Sequence, residues 1–427
     1  MMRKMSDKII KNNPNGAFTA GLIWNYISLI FMAAGGFCFS LLIGIFYDAE
    51  TLGYFNTFYA LYIALAQIAV FGCQNAVTKY ISEDPNDLMR AKSYLLMALI
   101  IIGAISLVSN LICRLILVFC GNSINLSLVE VNAMLFGILM FAINKSVLGF
   151  LNGLSRMSEF GIFQSFRYIF IAAFIILFSL MELDREYLVL CFLCAESLLL
   201  VFEIPALLKK GFSGVKVSKK ELKEILVFGY HILPANFVLE LNSKADVLCL
   251  SFVTGNERIV GIYSFAVLFA EGFYQLFVVI RRSINPQITF NYVQGRFEGF
   301  YARINGLISR IGYIGSSVCG IIIVFVYRAA CSLMKDATYT IGTLSLTIVI
   351  MAIIINMRGV IWGNLLSQIG APKHEARVNI VTILSNVAMN FLFINLFGMV
   401  GAAIGTAISY FVFSIIQRIY IKKEICI

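Results

Sequence analysis

Charged side chains inside long apolar segments are the residues of this chain that could do chemistry. An ionised group in hydrocarbon costs about 2.5 to 3.5 kcal/mol, so each one is expected to bind a ligand, carry an ion or pair with another charge. The bases that lie well within such segments are Lys145, Arg167, Lys244, Arg310 and Arg358, and Arg114 also falls inside a predicted segment. The acids are Glu196, Glu203, Glu240, Asp246 and Glu271.

The bases could hold an anion, because arginine makes forked contacts to a phosphate and lysine supplies a point charge. We include Arg282, which lies about three turns from Glu271 on the same side of its helix. The predicted substrate-binding bases of a polar cavity are Lys244, Arg358, Arg282, Lys145, Arg167 and Arg310. Because the acids are as numerous as the buried bases, the sign of the cavity depends on which groups pair.

Two alternatives to ligand binding stay open for these groups. Glu240 precedes Lys244 by four residues, which is the spacing of an intrahelical ion pair. Lys145 and Arg310 lie toward one end of their segments, from which long side chains reach the membrane interface.

Pro234, in the same segment as Glu240, predicts a kink that frees backbone groups toward a water-filled cavity.

The elements that carry these charges are membrane-spanning helices. Of the 427 residues, 60% are hydrophobic and only 13% are charged, which excludes a water-soluble fold with a charged surface. A spanning helix needs about 20 apolar residues. Twelve spans are predicted, near residues 18–46, 53–78, 93–119, 127–151, 160–181, 187–208, 225–252, 258–281, 303–327, 338–366, 376–397 and 399–418.

The loops between the spans alternate in basic charge, and this alternation predicts the orientation of the chain. Most of the 33 lysines and arginines lie at the two ends and in the even-numbered loops, so both termini are expected in the cytoplasm. The loops on the other side carry Arg185, Arg258, Arg328 and Lys335. Because the net charge of +10 sorts by loop instead of forming one patch, nucleic acid is not an expected partner.

An internal repeat predicts two lobes of six helices. Leu52-Gly53-Tyr54-Phe55 opens the second span, and Val260-Gly261-Ile262-Tyr263 opens the eighth span 208 positions later. Because six is even, both halves enter the membrane from the same side. The lobes are then related by a parallel pseudo-two-fold axis along the membrane normal and enclose a central cavity. The predicted lobes are residues 1–210 and 211–427, with a basic cytoplasmic linker at 211–224.

Common catalytic and metal-binding motifs do not occur in the sequence. HExxH, GxSxG and a Walker-type glycine loop are missing, so no hydrolysis, ATP binding or other enzyme activity is expected. Cys191 and Cys194 form a CxxC, but the chain has only two histidines and no second CxxC. Apolar packing is therefore the expected role of these cysteines, and neither a metal nor another cofactor is predicted.

Several short motifs follow one another in a characteristic order. They are Leu52-Gly53-Tyr54, Gly72, Lys79-Tyr80-Ile81, Ala245-Asp246, Val260-Gly261-Ile262-Tyr263-Ser264, Asn285-Pro286, Gly370-Ala371-Pro372-Lys373, Asn390, Gly398, Val400-Gly401-Ala402-Ala403 and Ala407-Ile408-Ser409. With the twelve spans, they resemble the multidrug/oligosaccharidyl-lipid/polysaccharide exporter superfamily. Within it, the chain is similar to the polysaccharide-transporter branch of repeat-unit flippases over nearly its whole length.

This resemblance implies an all-α transporter of the bacterial inner membrane. Its expected cargo is an undecaprenyl-pyrophosphate-linked sugar unit of O-antigen, capsule or a similar glycan, moved to the outer leaflet by alternating access. The polyprenyl tail would stay among membrane lipids, and glycan polymerase and chain-length proteins are expected partners. The resemblance also implies coupling to a proton or sodium gradient, for which the candidates are Glu240, Asp246, Glu271 and Glu196.

Two other functions stay open. A cation-coupled multidrug exporter has the same fold, but drug-exporting relatives often place an acid in the first span, whereas no charged residue lies between Lys11 and Asp48. A membrane glycan polymerase or glycosyltransferase is expected to have a large outer loop or a soluble catalytic region with acidic motifs. The sequence shows neither feature.

Overall fold

The computed structural model describes residues 34–120, 127–208 and 217–425, and all regular secondary structure in these ranges is helical. The all-α fold expected from the sequence is therefore confirmed. The α-helices are α1 Ala34–Phe46, α2 Ala49–Val70, α3 Cys73–Ser82, α4 Leu88–Cys120, α5 Leu128–Gly153, α6 Met157–Leu180, α7 Arg185–Leu188, α8 Leu190–Leu208, α9 Lys219–Thr254, α10 Glu257–Val293, α11 Phe297–Leu307, α12 Tyr313–Cys331, α13 Thr343–Ile355, α14 Met357–Ile361, α15 Leu365–Gln368 and α16 Pro372–Ile425. A π-helix at Ile308–Gly312 joins α11 to α12, and a 3-10 helix at Ala337–Gly342 precedes α13.

Ten helical stretches in the described ranges are long and apolar enough to cross a membrane. Helices suit this environment because every backbone group must find its hydrogen-bond partner inside the segment. The longest stretch, α16, contains Gly398 with φ 56° and ψ −129°, so its helix breaks at the predicted boundary between the last two spans. The protein is a multi-pass membrane protein. The first predicted span lies largely outside the described residues, so the count of twelve stays a prediction.

Two predicted spans are not continuous helices, which corrects the sequence-based expectation. The span predicted at 53–78 breaks at Phe71 and Gly72, whose φ values are 49° and 66°. The span predicted at 338–366 breaks at Asn356, whose side-chain amide donates to the Ala352 carbonyl at 2.9 Å. Hydropathy falls after the first break, where α3 carries Gln74, Asn75, Thr78 and Lys79, but such a fall marks the end of a span as readily as a break within one.

Two compact units make up the fold. Unit 1 contains Met1–Leu42 and Phe58–Leu241, and unit 2 contains Ile43–Thr57 and Asn242–Ile427, as far as these ranges are described. Helices α2 and α9 therefore each contribute residues to both units. The division into lobes 1–210 and 211–427 stays a prediction.

In unit 1, α3 packs closely on α5. A Cβ atom at Gly149 would lie 2.6 Å from the carbonyl oxygen of Gln74, so the two backbones approach only because this position is glycine. The Thr78 hydroxyl donates to the Gly149 carbonyl at 3.0 Å. The buried side of α3 consists of Cys73, Ala76, Val77 and Ile81. The break before α3 and this contact together determine where its polar side points.

In unit 2, equivalent positions of the sequence repeat contact each other. A Cβ atom at Gly53 would lie 2.7 Å from the Gly261 nitrogen, and one at Gly261 would lie 2.8 Å from the Gly53 nitrogen. The Asn56 amide donates to the Ser264 hydroxyl at 2.7 Å, and these residues are also 208 positions apart. Such reciprocal contacts are what a local two-fold axis through the crossing of α2 and α10 produces.

Replacing Gly53 by valine is expected to lower the free energy of unfolding by about 1 to 3 kcal/mol, the usual cost of overpacking. The new Cβ atom would lie 1.7 Å from the Glu257 carbonyl oxygen, so the helices must move apart. Thermal unfolding of the detergent-solubilised protein measures the effect. Gly272→Val on α10 is the matched control, because a Cβ there meets nothing within 4 Å. An equal melting temperature for both variants would contradict the close crossing.

Candidate functional site

Unit 1 contains a polar cavity of about 410 Å³. Its walls come from α3, α5, α6 and α9. The lining residues are Gln74, Asn75, Thr78, Lys79, Lys145, Leu148, Gly149, Asn152, Phe160, Gln164 and Phe228. The four residues from α3 share one side of that helix, opposite its buried side, and those from α5 follow the same helical spacing. The cavity thus arises where two polar helix sides meet inside an apolar protein.

The charge of this cavity is positive. Lys79 and Lys145 line it, and none of the described carboxylates does. The Lys79 ammonium lies 4.5 Å from the centroid of the Tyr80 ring, and the Lys145 ammonium lies 5.4 Å from that of Phe141. Neither lysine forms an ion pair within the described ranges. The aromatic faces stabilise the two cations only in part, which leaves them suited to an anionic ligand.

Two amides that line the cavity have a side-chain oxygen without a donor. Asn75 Oδ1 and Gln164 Oε1 are buried and have no hydrogen-bond partner among the described groups. A buried acceptor without a donor costs about 1 to 3 kcal/mol. Because both oxygens are closed to solvent, a ligand with hydroxyl groups reaches them only when the amides turn toward the cavity.

Lys145 was expected in the site from the sequence, but Lys79 was not. Lys79 lies near the end of α3. In the sequence, a base at such a position looks like one of the basic loop residues that flank a membrane span. Its helical spacing is the signal that could have identified it, because Lys79 follows Asn75 by four residues and shares its side of the helix.

Arg167 and Glu196 form a buried ion pair in unit 1. Their Nε and Oε1 atoms are 2.6 Å apart, and the side chains are only 6% and 2% exposed. The Asn144 amide donates to Glu196 Oε2 at 2.7 Å, and the Arg167 guanidinium lies 4.7 Å from the centroid of the Phe141 ring. The two charges compensate each other, which suits a structural role. Their assignment to substrate binding and ion coupling stays a prediction.

The other acids of unit 1 differ in their surroundings. Glu240 accepts a hydrogen bond of 3.4 Å from the Gln67 amide. Glu203 is fully buried, and neither of its carboxylate oxygens has a hydrogen-bond partner in the part of the chain that the structure describes. Neither acid is among the residues that line the polar cavity.

In unit 2, the contact between α9 and α10 brings predicted residues together. Lys244 Nζ lies 3.9 Å from Glu271 Oε1, so this lysine has an acid from the next helix beside it. Asp246 Oδ2 accepts a hydrogen bond of 2.9 Å from the Tyr263 hydroxyl. These groups form a mixed polar stripe that contains one base, Lys244, and two acids, Asp246 and Glu271.

The predicted arginines of unit 2 occupy different environments. The Arg358 guanidinium donates to the Ser309 hydroxyl in the π-helix and lies 5.9 Å from the centroid of the Tyr313 ring. Arg282 and Arg310 are exposed. The role of these three arginines as cavity bases stays a prediction.

Arg281 is a further base that the sequence-based prediction missed in favour of its neighbour Arg282. Its side chain is partly buried, and its Nη1 atom would lie 2.5 Å from a Cβ placed on Gly363. One step along a helix rotates a side chain by about 100°, so helix orientation decides which of two adjacent arginines faces the protein.

A family model described as "Polysaccharide biosynthesis protein" matches residues 18–290 of the chain. No curated protein matches the chain by sequence.

Three solved structures show what the fold is similar to. An inward-facing multidrug resistance MATE family transporter of the MOP superfamily has a TM-score of 0.72 and 14% identity, covering 95% of this chain and 98% of that one. The lipid II flippase MurJ, in an inward closed conformation, has a TM-score of 0.68 and 16% identity, covering 94% and 87%. A MOP superfamily transporter from Pyrococcus furiosus, whose binding pocket of reverse polarity suggests a different function, has a TM-score of 0.56 and 15% identity, covering 98% of both chains. The fold is therefore that of a MATE- and MurJ-like transporter.

Proposed function

Because the chain belongs to the polysaccharide biosynthesis protein family, we propose that it is a flippase for a polyprenyl-pyrophosphate-linked oligosaccharide. The family and the structural neighbours are transporters or flippases and not enzymes. The proposed cargo is an undecaprenyl-linked repeat unit of O-antigen, capsule or a similar glycan, which moves from the cytoplasmic to the outer leaflet of the bacterial inner membrane. Both termini are proposed to lie in the cytoplasm.

The polar cavity of unit 1 is the observation that carries this proposal. A pyrophosphate needs cations, which Lys79 and Lys145 supply, and sugar hydroxyls need polar partners, for which the amide side chains of Asn75 and Gln164 line the cavity. The volume of about 410 Å³ falls within the range of about 300 to 1,000 Å³ for small-molecule pockets. Charge, hydrogen bonding and size therefore support a headgroup of this kind.

The two lysines differ in exposure and so in their proposed parts. Lys79 is exposed near the end of α3, whereas Lys145 on α5 is partly buried. We expect Lys79 to meet the anionic headgroup first and Lys145 to hold it within the cavity. Most of the long hydrocarbon tail stays in lipid, so the polar headgroup is the part that needs a sheltered path. Alternating access then moves the headgroup to the other leaflet.

A cationic drug is a less suitable cargo for this cavity. Two lysines repel a cation, and none of the described carboxylates lines the cavity to attract one. The similarity to a MATE transporter does not select a cargo, because unrelated substrates use sites built on one fold.

Leaflet exchange in proteoliposomes tests the proposal. A fluorescent polyprenyl-pyrophosphate disaccharide is distributed in both leaflets, and a membrane-impermeant reductant bleaches the outer one. We expect vesicles with the protein to lose nearly all fluorescence, whereas protein-free vesicles keep their inner-leaflet signal. Transport of a fluorescent cationic dye without exchange of the lipid probe would overturn the flippase assignment in favour of drug export.

A further inference from the structure

Unit 2 contains an apolar groove that binding of a polar headgroup does not explain. Its volume is about 370 Å³, and it is lined by α10, the stretch from α11 to α12, and α14. Its walls include Phe273, Phe277, Ile284, Ile308, Met357 and Ile361. At about 30 Å³ for each water-sized group, the groove has room for about a dozen such groups. It therefore fits part of a hydrocarbon chain.

The π-helix shapes one wall of this groove. Ile308 and Gly312, at the two ends of the π-helix, line it together with Gly315. A Cβ atom at Gly315 would meet nothing within 4 Å, so the missing side chain leaves open space. Single π-turns within α-helices are rare and frequently occur at functional sites. The local geometry thus keeps open a groove that a larger residue would fill.

Two arginines lie beside the groove. Arg281 shares its side of α10 with two lining residues, because it follows Phe277 by four residues and precedes Ile284 by three. Arg358 contacts Ser309 and Tyr313, which adjoin the lining residues Ile308 and Gly312. The Nε atom of each is buried without a hydrogen-bond partner, and neither forms an ion pair with any residue that the structure describes. An apolar groove flanked by two guanidinium groups that have no acidic partner among the described residues is complementary to an anionic amphiphile.

We propose that this groove binds the first isoprene units of a polyprenyl phosphate, with Arg281 and Arg358 close to the phosphate. A terminal phosphate carries about 1.5 to 2 negative charges, which matches two arginines. A phospholipid phosphodiester carries one charge and matches them less well. The inference rests on the proposed function and adds a place where the carrier lipid is recognised independently of its sugar.

Photo-crosslinking with a sugar-free carrier tests the groove by itself. A C55 polyprenyl monophosphate with a diazirine in its first isoprene units is added to the full-length protein in nanodiscs, and labelled peptides are identified by mass spectrometry. We expect labels within residues 276–284 and 304–319. Unlabelled polyprenyl phosphate is expected to compete, whereas phosphatidylglycerol at the same concentration is not.

Matched variants separate groove binding from folding. Gly315→Leu fills the groove and is expected to reduce labelling about tenfold, whereas Gly306→Leu is the control, because its Cβ also meets nothing within 4 Å and it does not line the groove. The double variant Arg281→Gln with Arg358→Gln leaves the groove open. It is expected to raise the carrier concentration that gives half-maximal labelling about tenfold or more. Monodisperse elution in size-exclusion chromatography establishes that each variant is folded.

Each result decides between the two proposals. Equal labelling of wild type and Gly315→Leu, or equal competition by phosphatidylglycerol, would overturn the groove assignment. If Gly315→Leu does not fold, an arginine double variant that binds like wild type would overturn it instead. Leaflet exchange without labelling of the groove would contradict only this inference. Labelling of the groove without leaflet exchange would contradict only the flippase proposal.

Discussion

Replacing Lys145 by glutamate is expected to reduce the rate of lipid-linked glycan transport by about a hundredfold or more. The change removes a charge-assisted contact worth about 1.5 to 3 kcal/mol and places a negative charge beside the pyrophosphate. Lys145→Gln removes the contact without adding repulsion, so its expected loss is about tenfold. Lys145→Arg keeps the charge and is expected to retain most activity. The initial rate of leaflet exchange measures all three variants.

The control for this series is a base outside the cavity. Lys220→Glu makes the same change of charge at an exposed position near the start of α9 and is expected to transport at the wild-type rate. Comparing the two variants removes any effect of net charge on reconstitution. A Lys145→Glu protein that is folded and transports like Lys220→Glu would exclude the unit 1 cavity as the headgroup site.

Removing one partner of the Arg167–Glu196 pair is expected to lower the free energy of unfolding by about 3 to 5 kcal/mol. Both side chains are almost fully buried, with exposures of 6% and 2%, so Glu196→Ala leaves a guanidinium without its counter-charge. Replacing both residues, as Arg167→Met with Glu196→Leu, is expected to recover most of this stability. A buried pair replaced by apolar groups of similar size is often tolerated.

A double-mutant cycle measures this coupling, with thermal unfolding of the two single variants and the double variant. Single variants whose losses simply add in the double variant would show that the pair is not coupled. The same double variant also tests the predicted role of Glu196 in ion coupling. A stable double variant that still responds to a proton or sodium gradient would assign the pair to structure alone.

The positions of most helical spans could be predicted from the sequence. A span is identified by the summed hydropathy of about 20 consecutive residues, which does not depend on tertiary packing. The break at Gly398 falls where the sequence predicts the boundary between the last two spans. The breaks at Phe71–Gly72 and Asn356 were not predicted, because left-handed backbone at the first and a turn at the second have no hydropathy signal of their own. The first of these breaks begins α3, whose polar side lines the unit 1 cavity.

The partners of the charged residues were less accessible to prediction. Glu240 and Lys244 are four residues apart, so a pair within one helix is the interaction that spacing suggests. The structure also places Lys244 beside Glu271 on the next helix, at 3.9 Å. Arg167 and Glu196 were both identified as buried charges, yet they are 29 residues apart and pair only because two helices pack with their charged sides facing.

The amino-acid sequence by itself determined that this protein is an all-helical, multi-pass membrane protein whose apolar spans carry charged side chains. It also predicted Lys145 as a cavity base and showed Gly53 and Gly261 as repeated positions. Only the tertiary structure decided that these glycines contact each other, that Lys79 joins Lys145 and that Arg281 lies beside an apolar groove. Membrane insertion depends on the summed transfer free energy of consecutive residues. Side-chain partners depend on how each helix is rotated and packed, and one residue of helix already turns a side chain by about 100°.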